Sequence, residues 1–241
     1  MGRVDHAGKL ARKVIARPWR VPTALLGRLL PGSRWGPDWV RQADGSVTFR
    51  AGGFVAAPTP QMLLARHNFE LLCIRSLLRD RHFERSLEIG CGFGRLSPHF
   101  ALCSNQHVAV DINSEAIELA RSTYPKLDFQ RASAAELPFA DADFDLVSTW
   151  TVLQHISPAI IERAVSEIQR ILAHRGTLLI CEETRSASEP ISPNTHTWHR
   201  TVDDYCAFFP SLTLLSDQFI EEIDRIPGMT SPGRVMLFRG E

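Results

Sequence analysis

A chain of 241 residues, 44% hydrophobic and 22% charged, has the composition of an ordinary globular protein and enough length to bury a core without disulfide staples. No apolar run approaches the ~20 residues needed to span a bilayer, and the basic start lacks the apolar region of a signal peptide. Five cysteines without a CxxC pair argue against a zinc site and for a reducing, cytoplasmic setting.

Residues 1–50 carry ten Lys/Arg against three Asp/Glu, so a net +7 there is offset by −7 over residues 51–241. Such an arm either folds across an acidic domain or meets phosphates or anionic lipid. Pro18, Pro22, Pro31 and Pro37 break it into pieces shorter than an ordinary helix. The Asp-Gly signal in "QADGSVTFRAGG" suits a small hairpin. Residues 1–58 are therefore expected as an N-terminal extension packed on or near a main domain of residues 59–241.

From Thr59 the pattern changes. Thr59 can cap a helix and Pro60 suits its first position. Leu63, Leu64, His67, Leu71, Ile74 and Leu78 then recur at helical spacing. After that helix, strands and helices alternate. "SLEIG", "HVAVD", "LDFQ", "FDLVSTW" and "GTLLICEE" read as strands. "RLSPHFALC", "SEAIELARSTY" behind an Asn113 cap, and "PAIIERAVSEIQRILA" read as the helices between them. "TVDDYCAFF" reads as a further helix, and "SLTLLSDQFI" and "RVMLFRG" as final strands. The alternation implies an α/β fold, doubly wound around a mostly parallel sheet.

Sheets of this kind bind ligands beyond the carboxyl ends of their strands. The turn Gly90-Cys91-Gly92-Phe93-Gly94 stands there, with backbone bare of Cβ at three positions. A dinucleotide needs GxGxxG, with its pyrophosphate on a helix N-terminus. Here Arg95 occupies the place of that third glycine, and Glu88 would repel a pyrophosphate. A nicotinamide-dependent oxidoreductase is thereby disfavoured. Glu88 suits an ammonium instead, and Asp111, 21 residues after Gly90, suits a ribose diol. A nucleoside with an amino-acid-like end fits both, and S-adenosylmethionine is such a molecule.

Glu88–Gly94 resembles the first motif of the class I S-adenosylmethionine-dependent methyltransferases. Val108–Ile112 is similar to their second-strand motif, "AAELPFADADFDLVSTWTVLQHI" to the segment through their fourth strand, and "GTLLICEE" to their fifth. Four segments in order are far more specific than one GxGxG. The resemblance implies a Rossmann-like seven-stranded sheet with its last strand antiparallel. It implies that Gly90, Cys91, Gly92 and Gly94 line the methionine part, that Glu88 orients it and that Asp111 takes the ribose hydroxyls. Ile112 would pack on the adenine, Ala134 would lie at its edge, and Trp150 would lie near the amino group. Ser133 stands where the family often has an acid for the adenine amino group; either the adenine is held less tightly or Glu136 compensates. Arg66 either reaches the cofactor carboxylate or is a solvated helix arginine.

The reaction needs an acceptor held in line with the methyl group; positioning supplies up to ~7–11 kcal/mol in ideal cases. A base can take the proton of an oxygen or nitrogen acceptor. His155, His196, His199 and Glu182 (with Glu183 beside it) are the candidates, each with a packing, loop or solvated role as its alternative. Their spacing matches no metal signature, so no metal is expected. The family's nucleobase amino methyltransferases resemble one another in an Asn/Asp-Pro-Pro-aromatic sequence, whereas this chain reads Ser148-Thr149-Trp150-Thr151. Nor does a cysteine beside proline serve cytosine carbon methylation. Both absences disfavour DNA and favour a small-molecule acceptor, with residues 184–205, including Trp198, as a variable lid. The alternatives are methylation of RNA or a lipid at a membrane surface through residues 1–50, and a non-catalytic cofactor-binding scaffold.

Overall fold

The computed structural model describes residues 39–41, 47–49, 60–79, 81–184, 198, 200–225 and 233–241. Of the expected extension, this includes two short strands, β1 (Trp39–Arg41) and β2 (Val47–Phe49), paired antiparallel with Trp39 opposite Phe49. The residues that join them, and the rest of 1–59, lie outside the described residues.

Helix α1 (Pro60–Leu78) begins on proline as expected. It ends where Arg79 turns left-handed (φ 51°) and its N–H reaches the Arg75 carbonyl at 2.8 Å. Among the described side chains of this helix, Glu70, Ile74, Leu77 and Leu78 are buried, while Leu72 is exposed. The hydrophobic stripe read from sequence therefore runs beside a buried acid that it did not contain.

β3 (Phe83–Ile89), α2 (Ser97–Leu102), β4 (Ser104–Asp111), α3 (Ser114–Thr123), β5 (Asp128–Arg131) and β6 (Phe144–Trp150) follow. Then come α4 (Ile161–Ile171), β7 (Leu172–Glu182), α5 (Val202–Phe208), β8 (Leu212–Phe219), α6 (Glu221–Asp224) and β9 (Arg234–Gly240). Two helix starts are chemically specified. Asn113 accepts the Glu115 N–H at 2.9 Å, and Thr201 forms a reciprocal capping box with Asp204.

The seven strands run in the order β5-β4-β3-β6-β7-β9-β8. β9 is antiparallel to both neighbours, and the other pairings are parallel. This is the seven-stranded, doubly wound sheet that the sequence implied. The chain moves outward from β3 to β5, then returns across β3 to lay down β6 and β7 on its other side. The order reverses at β3, so a crevice opens beyond the carboxyl ends of β3 and β6.

Each central strand is buried on both faces, with alternate residues going to opposite cores. In β7, Leu178 and Ile180 join one core and Leu179 and Cys181 the other; in β9, Met236 and Phe238 oppose Val235 and Leu237. The first core is covered by Ile161, Val165, Ile168 and Ile171 of α4 and Tyr205 of α5. The second is covered by α1 and α2 through Ile74, Leu77, Leu78 and Phe100, with Ile223 of α6. Burial of side chains this size contributes ~1.5–3 kcal/mol each, which is what fixes the crevice between rigid elements. Among the described residues no helix is long and apolar enough to cross a membrane.

Candidate active site

The turn after β3 has the geometry that its glycines foretell. Gly90 has φ +74° and Gly94 φ +80°. A Cβ on Gly90 would stand 2.3 Å from Val152 Cγ2, and one on Gly94 would stand 2.8 Å from Phe129 Cζ. Only glycine satisfies both the conformation and the space. The N–H groups of Gly90 and Cys91 share the Val110 carbonyl, at 2.7 and 3.0 Å, so the turn is pinned to β4 before it bends away.

Asp111 ends β4 and completes the turn. Its Oδ2 accepts the Gly92 N–H at 2.8 Å and its Oδ1 accepts the Asn113 N–H at 2.8 Å. Burial pushes its carboxyl up from the ordinary value, while these two backbone donors pull the other way. A carboxylate has about four lone-pair sites. Backbone donors from Gly92, Asn113 and Ile112 take part of that capacity and leave room for a ribose hydroxyl. Ile112, the next residue, is 65% exposed, an apolar side chain suited to a ring face.

The Ala132 N–H bonds the Asp111 carbonyl at 3.1 Å, bringing the loop after β5 alongside. Ser133 Oγ there accepts the Ala135 N–H at 3.2 Å and Ser133 bridges to Glu136, whose side chain stands in solvent. Ala134 is half-buried against the first core.

Glu88 lies deeper than the turn itself, only 3% exposed. Ser97 at the start of α2 donates to its Oε2, and His107 Nε2 stands 3.8 Å from the same oxygen. His107 Nδ1 in turn meets the Ser86 hydroxyl at 2.8 Å, and Ser104 donates to Ser86 at 2.6 Å. A buried Ser104–Ser86–His107 chain thus leads to this acid from the strand side.

Trp150 ends β6 and is 7% exposed. Its indole N–H donates to Glu70 Oε1 at 3.2 Å. Arg66 Nε also donates to that oxygen, at 2.9 Å, and Arg95 Nη1 donates to Glu70 Oε2. Burial alone would raise the Glu70 carboxyl, but Arg95 and Arg66 overcome it and hold the group below its ordinary value. Arg66 is therefore neither simply solvated nor isolated; it belongs to a cluster with Glu70, Arg95 and Trp150. Arg95 Nη1 also reaches His67 Nδ1 at 3.0 Å, and burial with the Arg95 charge lowers the His67 pKa to about 4.

The structure gives Glu182 a different role from the one expected. The carboxylate is fully buried rather than facing a pocket. Its Oε1 accepts from the N–H groups of Val152 (3.1 Å) and Leu153 (3.0 Å) and from Thr149 Oγ1 (3.3 Å), and its Oε2 accepts from the Gln154 N–H (3.0 Å). Those donors open the 3-10 turn Leu153–His155, so Glu182 caps its N-terminus. Arg200 holds the other end, donating to the carbonyls of Leu153 (2.7 Å) and Ile156 (2.9 Å). The Trp198 N–H bonds the Gln154 carbonyl at 2.7 Å. The turn after β6 is therefore gripped from both sides, and between the grips lies half-buried His155, its Nε2 at 3.3 Å from Gln154 Nε2. Thr151, which starts the turn, is left-handed (φ 56°), a conformation that costs a β-branched residue ~1–2 kcal/mol. His196 and His199 lie outside the described residues. Among the described residues no group of three His, Cys, Asp or Glu side chains could hold a metal ion.

Sequence reasoning missed Glu70, Gln154 and Arg200 as parts of the site and saw Arg95 only as a misplaced glycine. The sole sequence signal for Glu70 is its spacing: it is four residues from Arg66 and from Ile74, on the helix face that packs inward.

A bare glycine turn tied by an acid to the neighbouring strand, at the reversal point of a parallel sheet, defines a nucleoside-cofactor site in a Rossmann-like fold. Residues 87–180 match the methyltransferase domain family. The chain is 35% identical over 104 residues to a probable S-adenosylmethionine-dependent methyltransferase of Mycobacterium tuberculosis, covering 43% of this chain and 37% of the relative. It is 28% identical over 149 residues to an O-methyltransferase of Pyrenophora dematioidea, covering 59% and 55%. The chain thus spans about a third to a half of the length of these curated relatives. In fold it is similar to Haemonchus contortus phosphoethanolamine N-methyltransferase 1, solved with phosphoethanolamine and S-adenosylhomocysteine, with a TM-score of 0.63, 15% identity and coverage of 75% of this chain and 44% of that one. Residues 87–180 thus resemble the methyltransferase domain of S-adenosylmethionine-dependent methyltransferases.

Proposed function

We propose that this protein transfers a methyl group from S-adenosylmethionine to an oxygen or nitrogen of a small-molecule acceptor. The observation that carries the reading is the Asp111 carboxylate, which closes the glycine turn through Gly92 and keeps lone-pair capacity for a ribose hydroxyl. When bound, the cofactor supplies an electrophilic methyl group on a sulfonium and leaves as the neutral thioether. The residues present fit it. Asp111 would take the ribose hydroxyls, Ile112 would cover the adenine, and Gly90 and Gly92 would let the backbone approach the methionine chain.

The protein's own contribution is position. The 3-10 turn of residues 153–155 is joined to the segment at Trp198 and Arg200 by the Trp198 N–H and by the Arg200 guanidinium, beyond the end of β6. We assign the acceptor side to this wall, with His155 as the group that receives the acceptor proton. Fixing acceptor and methyl in line removes orientational freedom from the transition state, the largest lever a cofactor of this reactivity leaves to the protein. A relative bearing the name O-methyltransferase supports an oxygen acceptor. DNA is disfavoured by the sequence after β6, and docking on RNA or a membrane through residues 1–50 is the rival outcome.

The test is a small-molecule extract incubated with methyl-labelled cofactor and either the wild-type chain or Asp111→Asn. Label in small molecules from the wild type only supports the proposal. Label confined to added RNA or lipid vesicles would replace the acceptor class. No label in any arm would leave a binding protein without transferase activity.

A further inference from the structure

We infer that Glu70 is a positioning residue for the amino-acid end of the cofactor: from inside α1 it sets Arg66, Arg95 and the Trp150 indole around one point beside the glycine turn. This deepens the proposed function and rests on that reading of the cofactor.

The three partners come from three separate elements. Arg66 lies one turn earlier on α1 and donates through Nε at 2.9 Å. Arg95 directly follows the glycine turn and donates through Nη1. Trp150, at the carboxyl end of β6, donates through Nε1 at 3.2 Å. Both carboxylate oxygens are engaged, and the residue is 0% exposed.

Stability alone does not account for an acid here. Burying a carboxylate costs several kcal/mol, and a well-packed apolar residue is often equal or better at such a place. What the acid achieves is geometric. It joins the helix before the sheet, the loop after β3 and the tip of β6, the elements that converge on the crevice. A carboxylate also accepts from a guanidinium in a fixed direction, so it sets where the rest of each fork points.

The charges then identify what the cluster faces. Two guanidinium groups against one carboxylate leave one positive charge uncompensated, His67 being neutral at pH 7 beside Arg95. Each guanidinium has five N–H donors, and its bond to Glu70 engages one nitrogen of the fork. Arg95 keeps 34% of its side chain exposed while Glu70 keeps none, so a ligand can touch the arginine but not the acid. Two residues along from Arg95, Ser97 donates to Glu88, the negative group of the same turn. One free positive and one negative group, carried by consecutive parts of one loop, complement an amino-acid zwitterion. Its carboxylate goes to the arginines, and its ammonium lies on the side of the buried Glu88, whose carboxylate acts through the turn rather than by contact.

The test compares two nucleosides by titration calorimetry on the full chain. S-adenosylhomocysteine carries the amino-acid end; 5′-methylthioadenosine lacks it. Glu70→Gln is expected to weaken S-adenosylhomocysteine by about ten- to a hundredfold, the range of a lost hydrogen bond to a charged group, with methylthioadenosine unchanged. Arg95→Gln, which leaves the buried acid in place, is expected to show the same selective loss and serves if Glu70→Gln does not fold. Equal weakening of both ligands, or of neither, would overturn the inference while leaving the methyltransferase reading intact. Wild-type protein that binds neither ligand would overturn that reading, and the inference with it.

Discussion

Glu182→Gln isolates the buried acid that caps the turn after β6. Burial raises the Glu182 pKa from 4.5 to about 7, against the pull of the Gln154, Leu153 and Val152 N–H groups. Because the folded value lies above the unfolded one, the native state holds this proton more tightly. The stability it brings is fully present below pH 4.5 and is lost as pH rises through 7. With these two values, the contribution of the wild-type carboxyl falls by roughly 2–3 kcal/mol between pH 5 and pH 8. Glutamine keeps one acceptor oxygen for the Val152 and Leu153 N–H groups and cannot ionise. It loses the acceptor opposite Gln154, which costs about 1–3 kcal/mol at every pH. The assay is urea unfolding of both proteins at pH 5, 6, 7 and 8. Glu182→Gln is expected to be the less stable at pH 5 and to gain on the wild type by roughly 2–3 kcal/mol by pH 8. Parallel curves across that range would refute the reasoning, because they would mean that the four donors keep the carboxylate ionised despite its burial.

Three further outcomes follow from the same geometry. Gly90→Ala places a Cβ 2.3 Å from Val152 Cγ2 at φ +74°, so it should cost about 1–2 kcal/mol in backbone strain alone and lower the melting temperature, with cofactor binding weakened as the turn shifts. Differential scanning calorimetry with and without S-adenosylhomocysteine reads both effects. Arg200→Lys replaces a fork that spans the carbonyls of Leu153 and Ile156 by a point charge, so it should lower turnover more than cofactor affinity. An equal loss in both would place the arginine in the fold rather than on the acceptor side. His155→Gln should reduce turnover with the Kd for S-adenosylhomocysteine unchanged, and the pH dependence of kcat should lose its acidic limb. An unaltered pH profile would remove the histidine from proton transfer.

Much of the fold was legible because its signals are local. Period-two burial in β7 and β9, the Asn113 cap and the glycine turn are each written within a few residues. The places of Glu88, Gly90, Gly92 and Asp111 in the fold are readable for the same reason: they sit at strand ends, where topology directs them. What was not legible is long-range. Glu70 was passed over because hydrophobic periodicity assigns a charged residue to the outer face of a helix, and only its meeting with Arg66, Arg95 and Trp150, 80 positions away from the last, explains its burial. Glu182, with Glu183, reads from sequence as a strand-end acid facing either the pocket or solvent; the left-handed Thr151 turns the chain back and brings three N–H groups onto Glu182 instead. β7 also begins earlier than the sequence suggested, at Leu172, because the pairing slips between Phe144 and Leu146 and lets four more residues join the strand. Arg200 lacks any local pattern, since its partners are carbonyls 44 and 47 residues away.

The central claim is that Asp111 and the glycine turn hold a sulfonium nucleoside. The most direct measurement is calorimetric titration of S-adenosylhomocysteine into the wild-type chain and Asp111→Asn, an isostere that keeps one oxygen but presents donors in place of the other. The account predicts one site per wild-type chain and a loss of affinity of about tenfold or more in the variant, which stays folded but melts somewhat lower because its amide NH2 faces one of the two backbone donors. A wild-type chain that gives no binding heat, or a variant that binds as tightly as the wild type, would contradict it.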